Sequence, residues 1–517
     1  MRGLAYEPAF HQCLQPGSGI MTVPVIEDLT PGQLPGRCRT LLEEGGRMQF
    51  AYAWFPEGDG PAELRYVMSP ASGQEFRQWR CRPADDAVPS LAVAAPLMSW
   101  YEREMTELCG IAFADSPQPE PLVLLSGAQA SKPPLVPGAD ASLAYRAQPY
   151  SLPELSEPSR ADLQTLPFGP VRAGVAESAQ FIFYYAGEAI LHYYPQLFFK
   201  HRGMEKRFEG RDAALGTVLA ERVSGVGSVA HALAYCQAVE AAAGAVVPPR
   251  ARALRVLLAE LERLYNHFHY LGHLSHTTTL KVGEAQGLYL EELAKQINGR
   301  VSGSRFLRSV LKPGGLRRDL DLGGVLDQLN RVVDEFTPYA DMLLNSGPHL
   351  DRLITNGILT RQAAEDQGAT GPIQRASGWD GDLRRDQPYA GYAQWPPYEI
   401  PVRQAGDASA RQEVRIAEIE QSIALVKHVL AEVPDGPLAV ECAPADGSEG
   451  LGWAESPRGA LFYAVHVGAG GRLARVKIKS PSFSNWRVFP FTVHDTNMMD
   501  YAINEASFGL TIAGCDR

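Results

Sequence analysis

The chain reads as an α+β protein in which a small amino-terminal αβ domain precedes a mainly helical domain with small peripheral β-sheets. Three stretches predict this. Residues 47–82 alternate aromatic and β-branched residues with polar ones, the period of half-buried strands. Residues 251–276 repeat leucine and phenylalanine every three or four positions, the period of a buried helix face. Between them, residues 117–158 are rich in Pro, Ser and Ala, which suits an extended arm. A length of 517 residues also favours two domains over one.

Residues up to about 40, punctuated by Gly and Pro, read as loop with short strands. The phrases MQFAYAWF, ELRYVMS and EFRQWRCR then form a meander, divided at Glu57-Gly58-Asp59-Gly60 and Ala71-Ser72-Gly73. A short amphipathic helix begins near Ser99 and ends at Gly110, a glycine cap. This completes a first domain over 1–116, with an arm over 117–165 and a second domain over 166–517. In the second domain, 181–193 reads as a hairpin turning at Ala186-Gly187-Glu188. A small-residue helix follows Ser224-Gly225-Val226-Gly227, and further helical patterns cover 285–298, 322–344 and 410–433. A last hairpin joins 461–467 to 473–479 through a Gly-rich turn.

A net charge of −11 argues against a nucleic-acid binder, which would show a basic stripe. No apolar run approaches the roughly 18–20 residues of a membrane span, and the first residues lack the apolar core of a signal peptide. The expectation is a cytoplasmic protein that meets a membrane only through partners. Cys13, Cys38, Cys81, Cys109, Cys236, Cys442 and Cys515 are scattered and form no CxxC pair. Iron–sulfur clusters and structural zinc need clustered thiolates, so the thiols read as reduced and mostly buried.

Two resemblances sharpen this picture. The phrase Trp100-Tyr101-Glu102-Arg103-Glu104, with Glu107-Leu108-Cys109-Gly110-Ile111 and Phe113, resembles the signature of the small hydrophilic αβ subunit of respiratory complex I. That module is fused to the large subunit in formate hydrogenlyase and is a cofactor-free scaffold. From Leu166 onward the chain resembles the large subunit of membrane-bound nickel–iron hydrogenases and, more distantly, the quinone-pocket subunit of complex I. The landmarks are His201-Arg202-Gly203-Met204-Glu205-Lys206, Glu260-Leu261-Glu262-Arg263-Leu264, Gly371-Pro372, Arg375-Ala376-Ser377-Gly378 and Asp386-Gln387-Pro388-Tyr389. Glu455-Ser456-Pro457-Arg458-Gly459, Ile478-Lys479-Ser480-Pro481-Ser482-Phe483 and Asp516-Arg517 continue the series.

The resemblance implies a metal site held by two CxxC pairs, whose positions here are Ser224 and Gly227, and Thr511 and Gly514. All four cysteines are replaced. Hydroxyls are far weaker acids than thiols and glycine has no side chain, so no metal is expected in this chain. Cys515, one position beyond, cannot replace four thiolates. The quinone-reducing relatives carry a histidine after Gly169-Pro170, where this chain reads Val171 to Glu177 without one. Their tyrosine position falls near Ser224-Gly225-Val226.

By the same resemblance, Glu177 and Glu205 are candidate proton-relay carboxylates, although Glu177 reads equally well as a surface or capping residue. His201, Arg202, Arg375 and Asp386, with Glu205, Asp382 and Arg384, are candidates for a cleft facing an iron–sulfur partner; loop-holding salt bridges explain Glu205, Arg375, Asp382, Arg384 and Asp386 equally well. The knot of His201, Arg202, Glu205 and Lys206 is expected to be exposed. His269, His273 and His276 share one helix face, yet the sequence supplies no nearby carboxylate or cysteine to complete a metal site. The implied role is a metal-free subunit of a membrane-associated complex, peripheral on the inner face of the cell membrane. It would couple electron transfer at a small iron–sulfur subunit, which carries the cluster, to ferredoxin-like and antiporter-like membrane subunits. Reduction of a quinone or other small acceptor in the vacated cavity is the alternative, and a working hydrogenase is a third.

Overall fold

The computed structural model describes residues 24–517 apart from 57–59, 72–74, 84–86, 125–127, 130–131, 140–143, 146–162, 173–176, 398 and 495. Both turn signals of the predicted meander, much of the arm and part of the segment after Pro170 therefore lie outside the described residues. So does Cys13.

The α+β reading holds. Strands β1 (Val25–Leu29), β2 (Arg47–Trp54), β3 (Glu63–Ser69) and β4 (Arg77–Cys81) form one sheet in the order β1-β4-β3-β2. The meander β2-β3-β4 is antiparallel as expected, and β1 adds to β4 in parallel. Residues 34–43 are a helix, α1 (Leu34–Glu43), rather than loop. Its proline sits in the first turn, where no amide hydrogen is needed, and Leu34 and Cys38 bury one face. Helix α2 (Ser99–Cys109) ends at Gly110 in the left-handed conformation, with φ of 75°. The charged residues of α2 do not make a solvated face. Glu102 accepts from Ser90 Oγ and the Leu91 amide, and Glu107 accepts from the amides of Leu122, Val123 and Leu124. The first part of the predicted arm is thus held along α2.

The second half opens with a three-stranded sheet, Ala189–Gln196, Gln180–Ala186 and Gln164–Phe168 in that order, with Gly187 in the turn. Helices α3 (Met204–Phe208), α4 (Ala213–Ala220), α5 (Ser228–Ala243), α6 (Pro249–Thr277), α7 (Lys281–Ser302) and α8 (Val325–Asn345) follow, then a long helix over Ala408–Glu432. All four predicted helical patterns are present; three are longer than expected, and the one over 322–344 begins later, at Val325.

The sheet of Glu449–Ser456, Gly459–Val467 and Leu473–Lys479 corrects the expected periphery, because it lies inside the molecule. Every residue of Gly459–Val467 is buried. On one face the backbone of α5 touches the strand Glu449–Ser456 directly. A Cβ on Gly452 would come within 2.1 Å of the Ala234 carbonyl, and one on Gly450 within 2.0 Å of the Ala238 carbonyl. On the other face Phe50 of the amino-terminal sheet and Phe76, just before β4, meet Phe462 at ring distances of 5.5 and 5.0 Å. Glycine weakens a strand pattern in sequence, which hid this third strand, but it permits close backbone approach. One buried apolar cluster consequently runs from Leu29 to Cys515 through both halves. No helix of the described residues is long and apolar enough to cross a membrane.

Candidate functional site

Two turns from opposite ends of the second half meet behind this central sheet. Ser224 and Gly227 lie in the turn between α4 and α5. Thr511 caps the carboxy-terminal helix Ile512–Asp516, accepting from the Gly514 amide at 3.2 Å. All four residues line one pocket, with His231, Arg458, Ser480 and Ser482. A Cβ on Gly514 would sit 3.6 Å from that of Ser224, and a Cβ on Gly227 would sit 4.0 Å from it. The positions singled out by resemblance are therefore neighbours in space.

The pocket is nearly closed. Its volume is about 10 Å³, the space of one water molecule. Ser482 and Thr511 bring their hydroxyls to 3.2 Å, and the Ser480 hydroxyl donates to the Gly514 carbonyl at 2.5 Å. The side chains offered are neutral hydroxyls, an imidazole and a guanidinium; Cys515, though buried, is not among the lining residues. This donor set does not suit a nickel–iron pair, which requires several deprotonated soft ligands. A space of this size also weighs against the alternative of a quinone reduced there.

His231 and Arg458 are charged or titratable pocket residues to which the sequence had assigned no site role. His231 follows Gly227 by one helical turn, a spacing that would have pointed to it. Its Nδ1 shares a hydrogen bond of 2.8 Å with the Tyr463 hydroxyl. Burial, aided by Arg202 and Arg458, pushes its pKa down to about 3, so the ring is neutral at physiological pH. Arg458 donates to the Gly509 carbonyl and to Asn266 Oδ1, joining three segments around the site.

The other predicted residues hold this frame together. Arg202 donates to the carbonyls of Arg222, Val223 and Ala513 at 2.7–3.0 Å, tying one turn to the other. His201 Nδ1 lies 2.7 Å from the Asp516 carbonyl. Glu177 accepts from the amides of Ile512 and Ala513 and so caps the carboxy-terminal helix, where an anion is favoured. The expectation of an exposed knot fails at Glu205, which is buried against Arg475 at 2.7 Å and against Lys477 and Arg517 at 3.2 Å each. Burial opposes its charge, but Lys477, Arg475 and Arg517 outweigh it and hold the pKa well below the usual carboxylate range. A relay carboxylate needs a pKa near the working pH, so Glu205 does not suit that role.

Arg375, Asp382 and Arg384 are buried rather than exposed, and Asp382 borders a separate pocket. They are fully enclosed in a network with Glu260, Glu418 and Glu455. Asp386 is half-buried and pairs with Arg385 at the mouth of a separate pocket. The rings of His269, His273 and His276 stack in series at 6.2 and 6.4 Å. Carboxylates do lie nearby, from α7: Glu291 meets His269 at 3.0 Å and Glu284 meets His276 at 2.8 Å. Three His, Cys, Asp or Glu side chains nevertheless do not converge as a metal site anywhere among the described residues.

Comparison with known proteins agrees with this frame. Residues 290–448 and 441–517 match the family "Respiratory-chain NADH dehydrogenase, 49 Kd subunit", residues 202–305 match "Nickel-dependent hydrogenase", and residues 46–137 match "Respiratory-chain NADH dehydrogenase, 30 Kd subunit". Formate hydrogenlyase subunit 5 of Escherichia coli is 30% identical over 429 residues, covering 80% of this chain and 74% of that protein. The NADH-quinone oxidoreductase subunit 4 of Thermus thermophilus is 29% identical over 404 residues, covering 71% and 97% respectively. Among solved structures, a chain of the membrane-bound sulfane sulfur reductase, an archaeal respiratory membrane complex, aligns with a TM-score of 0.65 at 26% identity, over 70% of this chain and all of that one. The chain therefore belongs to the family that unites the large subunits of formate hydrogenlyase-type hydrogenases with the 49 kDa subunit of complex I, and it carries a 30 kDa subunit-like module at its amino-terminal end.

Proposed function

We propose that this chain is a metal-free subunit of a membrane-associated respiratory complex, peripheral on the cytoplasmic face. In this reading it transmits events at an iron–sulfur partner subunit to the membrane arm. The observation that carries the reading is the pocket of Ser224, Gly227, Thr511 and Gly514. The frame around it is intact, yet it offers hydroxyls in about 10 Å³ where the family's active members hold metal with thiolates. Relatives named as subunits of formate hydrogenlyase and of NADH-quinone oxidoreductase support assembly into a multi-subunit complex. The iron–sulfur cluster resides in the partner, and ferredoxin-like and antiporter-like membrane subunits complete the assembly.

Purification of the native complex from membranes through a tag on a neighbouring subunit, followed by metal analysis and mass spectrometry, tests this. The expected result is iron in excess, nickel far below one atom per copy of this chain, and co-purifying iron–sulfur and membrane subunits. Stoichiometric nickel, or a chain recovered without those partners, would overturn it.

A further inference from the structure

A second pocket, of about 290 Å³, opens between the amino-terminal sheet and the buried end of the second half. Its charges are unevenly paired. Each carboxylate that lines it already has an arginine: Asp380 and Asp386 pair with Arg385, Asp382 with Arg375 and Arg384, and Glu455 with Arg375. Three cations line the same space with no carboxylate within ion-pair distance among the described residues. Lys479 is buried and its Nζ donates only to the Ala460 carbonyl, at 2.9 Å. Arg487 is 6% exposed, donates to the carbonyls of Leu97 and Gln367, and leaves its Nε unpaired. Arg47 is half-buried, donates to the Ala369 carbonyl at 2.7 Å, and lies 5.4 Å from the centre of the Trp379 ring.

Cations withdrawn from water need a counter-charge, and carbonyl dipoles supply only part of one. Glu365 acts on Arg47 from outside the pocket, and Glu455 attracts Lys479 at longer range than an ion pair; no carboxylate acts on Arg487. Burial, with repulsion from Arg47 and Arg487, outweighs the attraction of Glu455 and pushes the Lys479 ammonium down to about 7. Burial likewise lowers both guanidinium groups, to about 10. The three cations lack an anion in direct contact, and the pocket has room for one together with a small organic body beside Trp379, whose ring also faces Arg361 at 5.8 Å.

We propose that this pocket binds a small oxyanion, a phosphate or the carboxylate of a small organic acid, held by Arg47, Lys479 and Arg487. Arg47 belongs to the amino-terminal sheet and the other two to the second half, so the ligand joins the two modules. The site is separate from the hydroxyl-lined pocket and does not depend on whether that pocket holds metal.

The test is calorimetric and thermal titration of the full chain with inorganic phosphate and, separately, with succinate, each against chloride at equal ionic strength. Saturable binding and a rise in the unfolding temperature are expected for at least one of the two, and the responding anion distinguishes a phosphoryl from a carboxylate ligand. Lys479→Met and Arg47→Gln are each expected to weaken that binding at least tenfold. Arg47 lies at the rim, so its variant gives a reading independent of the buried Lys479. No response beyond chloride, or an affinity unchanged in Arg47→Gln, would overturn the proposal.

Discussion

Replacing Glu205 with glutamine tests the charge network that joins the two ends of the chain. In the native protein Glu205 and Glu104 face Arg475, Lys477 and Arg517, all buried. Glutamine keeps the shape but removes one of two carboxylates, leaving three buried cations against Glu104 alone. Breaking a buried pair in this way costs about 3–5 kcal/mol, because the remaining charge is uncompensated. The glutamine oxygen can still accept the Ile478 amide, which Glu205 holds at 3.1 Å, so the loss is electrostatic. Urea unfolding followed by both tryptophan fluorescence and circular dichroism measures it, with coincidence of the two probes as the check on cooperativity. The pH dependence supplies a second signature. The folded pKa of Glu205 lies below the unfolded value of about 4.3, so its contribution is present above that value and is lost as pH falls below it toward the folded pKa. The stability gap between wild type and Glu205→Gln should therefore be constant near neutrality and narrow below about pH 4. A loss under about 1 kcal/mol, or a gap that does not narrow in acid, would refute the network as described.

Further outcomes follow from single contacts. Glu177→Gln weakens the cap on the carboxy-terminal helix by about 0.5–2 kcal/mol, which hydrogen exchange reads as faster exchange at the Ile512 and Ala513 amides with little change elsewhere. Lys479→Met stabilises the protein at pH 7 in anion-free buffer, because it removes a buried cation whose burial outweighs its attraction to Glu455. With a folded pKa of about 7 against about 10.4 unfolded, wild type recovers stability as pH rises through that window. The advantage of Lys479→Met in a thermal-unfolding series should accordingly shrink toward pH 10.

Pattern alone located most elements, and the failures have physical causes. The aromatic alternation of β2 to β4 and the apolar repeat of α6 stand out because each buries a face of fixed period. Helix α1 was hidden because proline and glycine read as breakers, although proline in a first turn breaks nothing. Glu449–Ser456 was hidden because its two glycines make room for α5 rather than supply side chains. The charged residues misled most. Glu205, Arg375 and Arg384 look like surface groups in a linear reading, and only the fold shows that their counter-charges arrive from other segments. The hydroxyl-lined pocket was legible solely through resemblance, since no spacing rule places Thr511 beside Ser224. The proposed anion pocket left no local signature at all, because its three cations lie on three separate elements.

Glu104 sits on α2 of the amino-terminal module, while both of its partners, Lys477 and Arg517, belong to the other half. Separately produced halves would each carry a stranded charge, and each would also expose the apolar surface that Phe50, Phe76 and Phe462 now share. The peptide link across 117–165 is then not what keeps the modules together. A protease cut placed there should leave two fragments that migrate as one particle, and co-expressed halves should find each other and rebuild it.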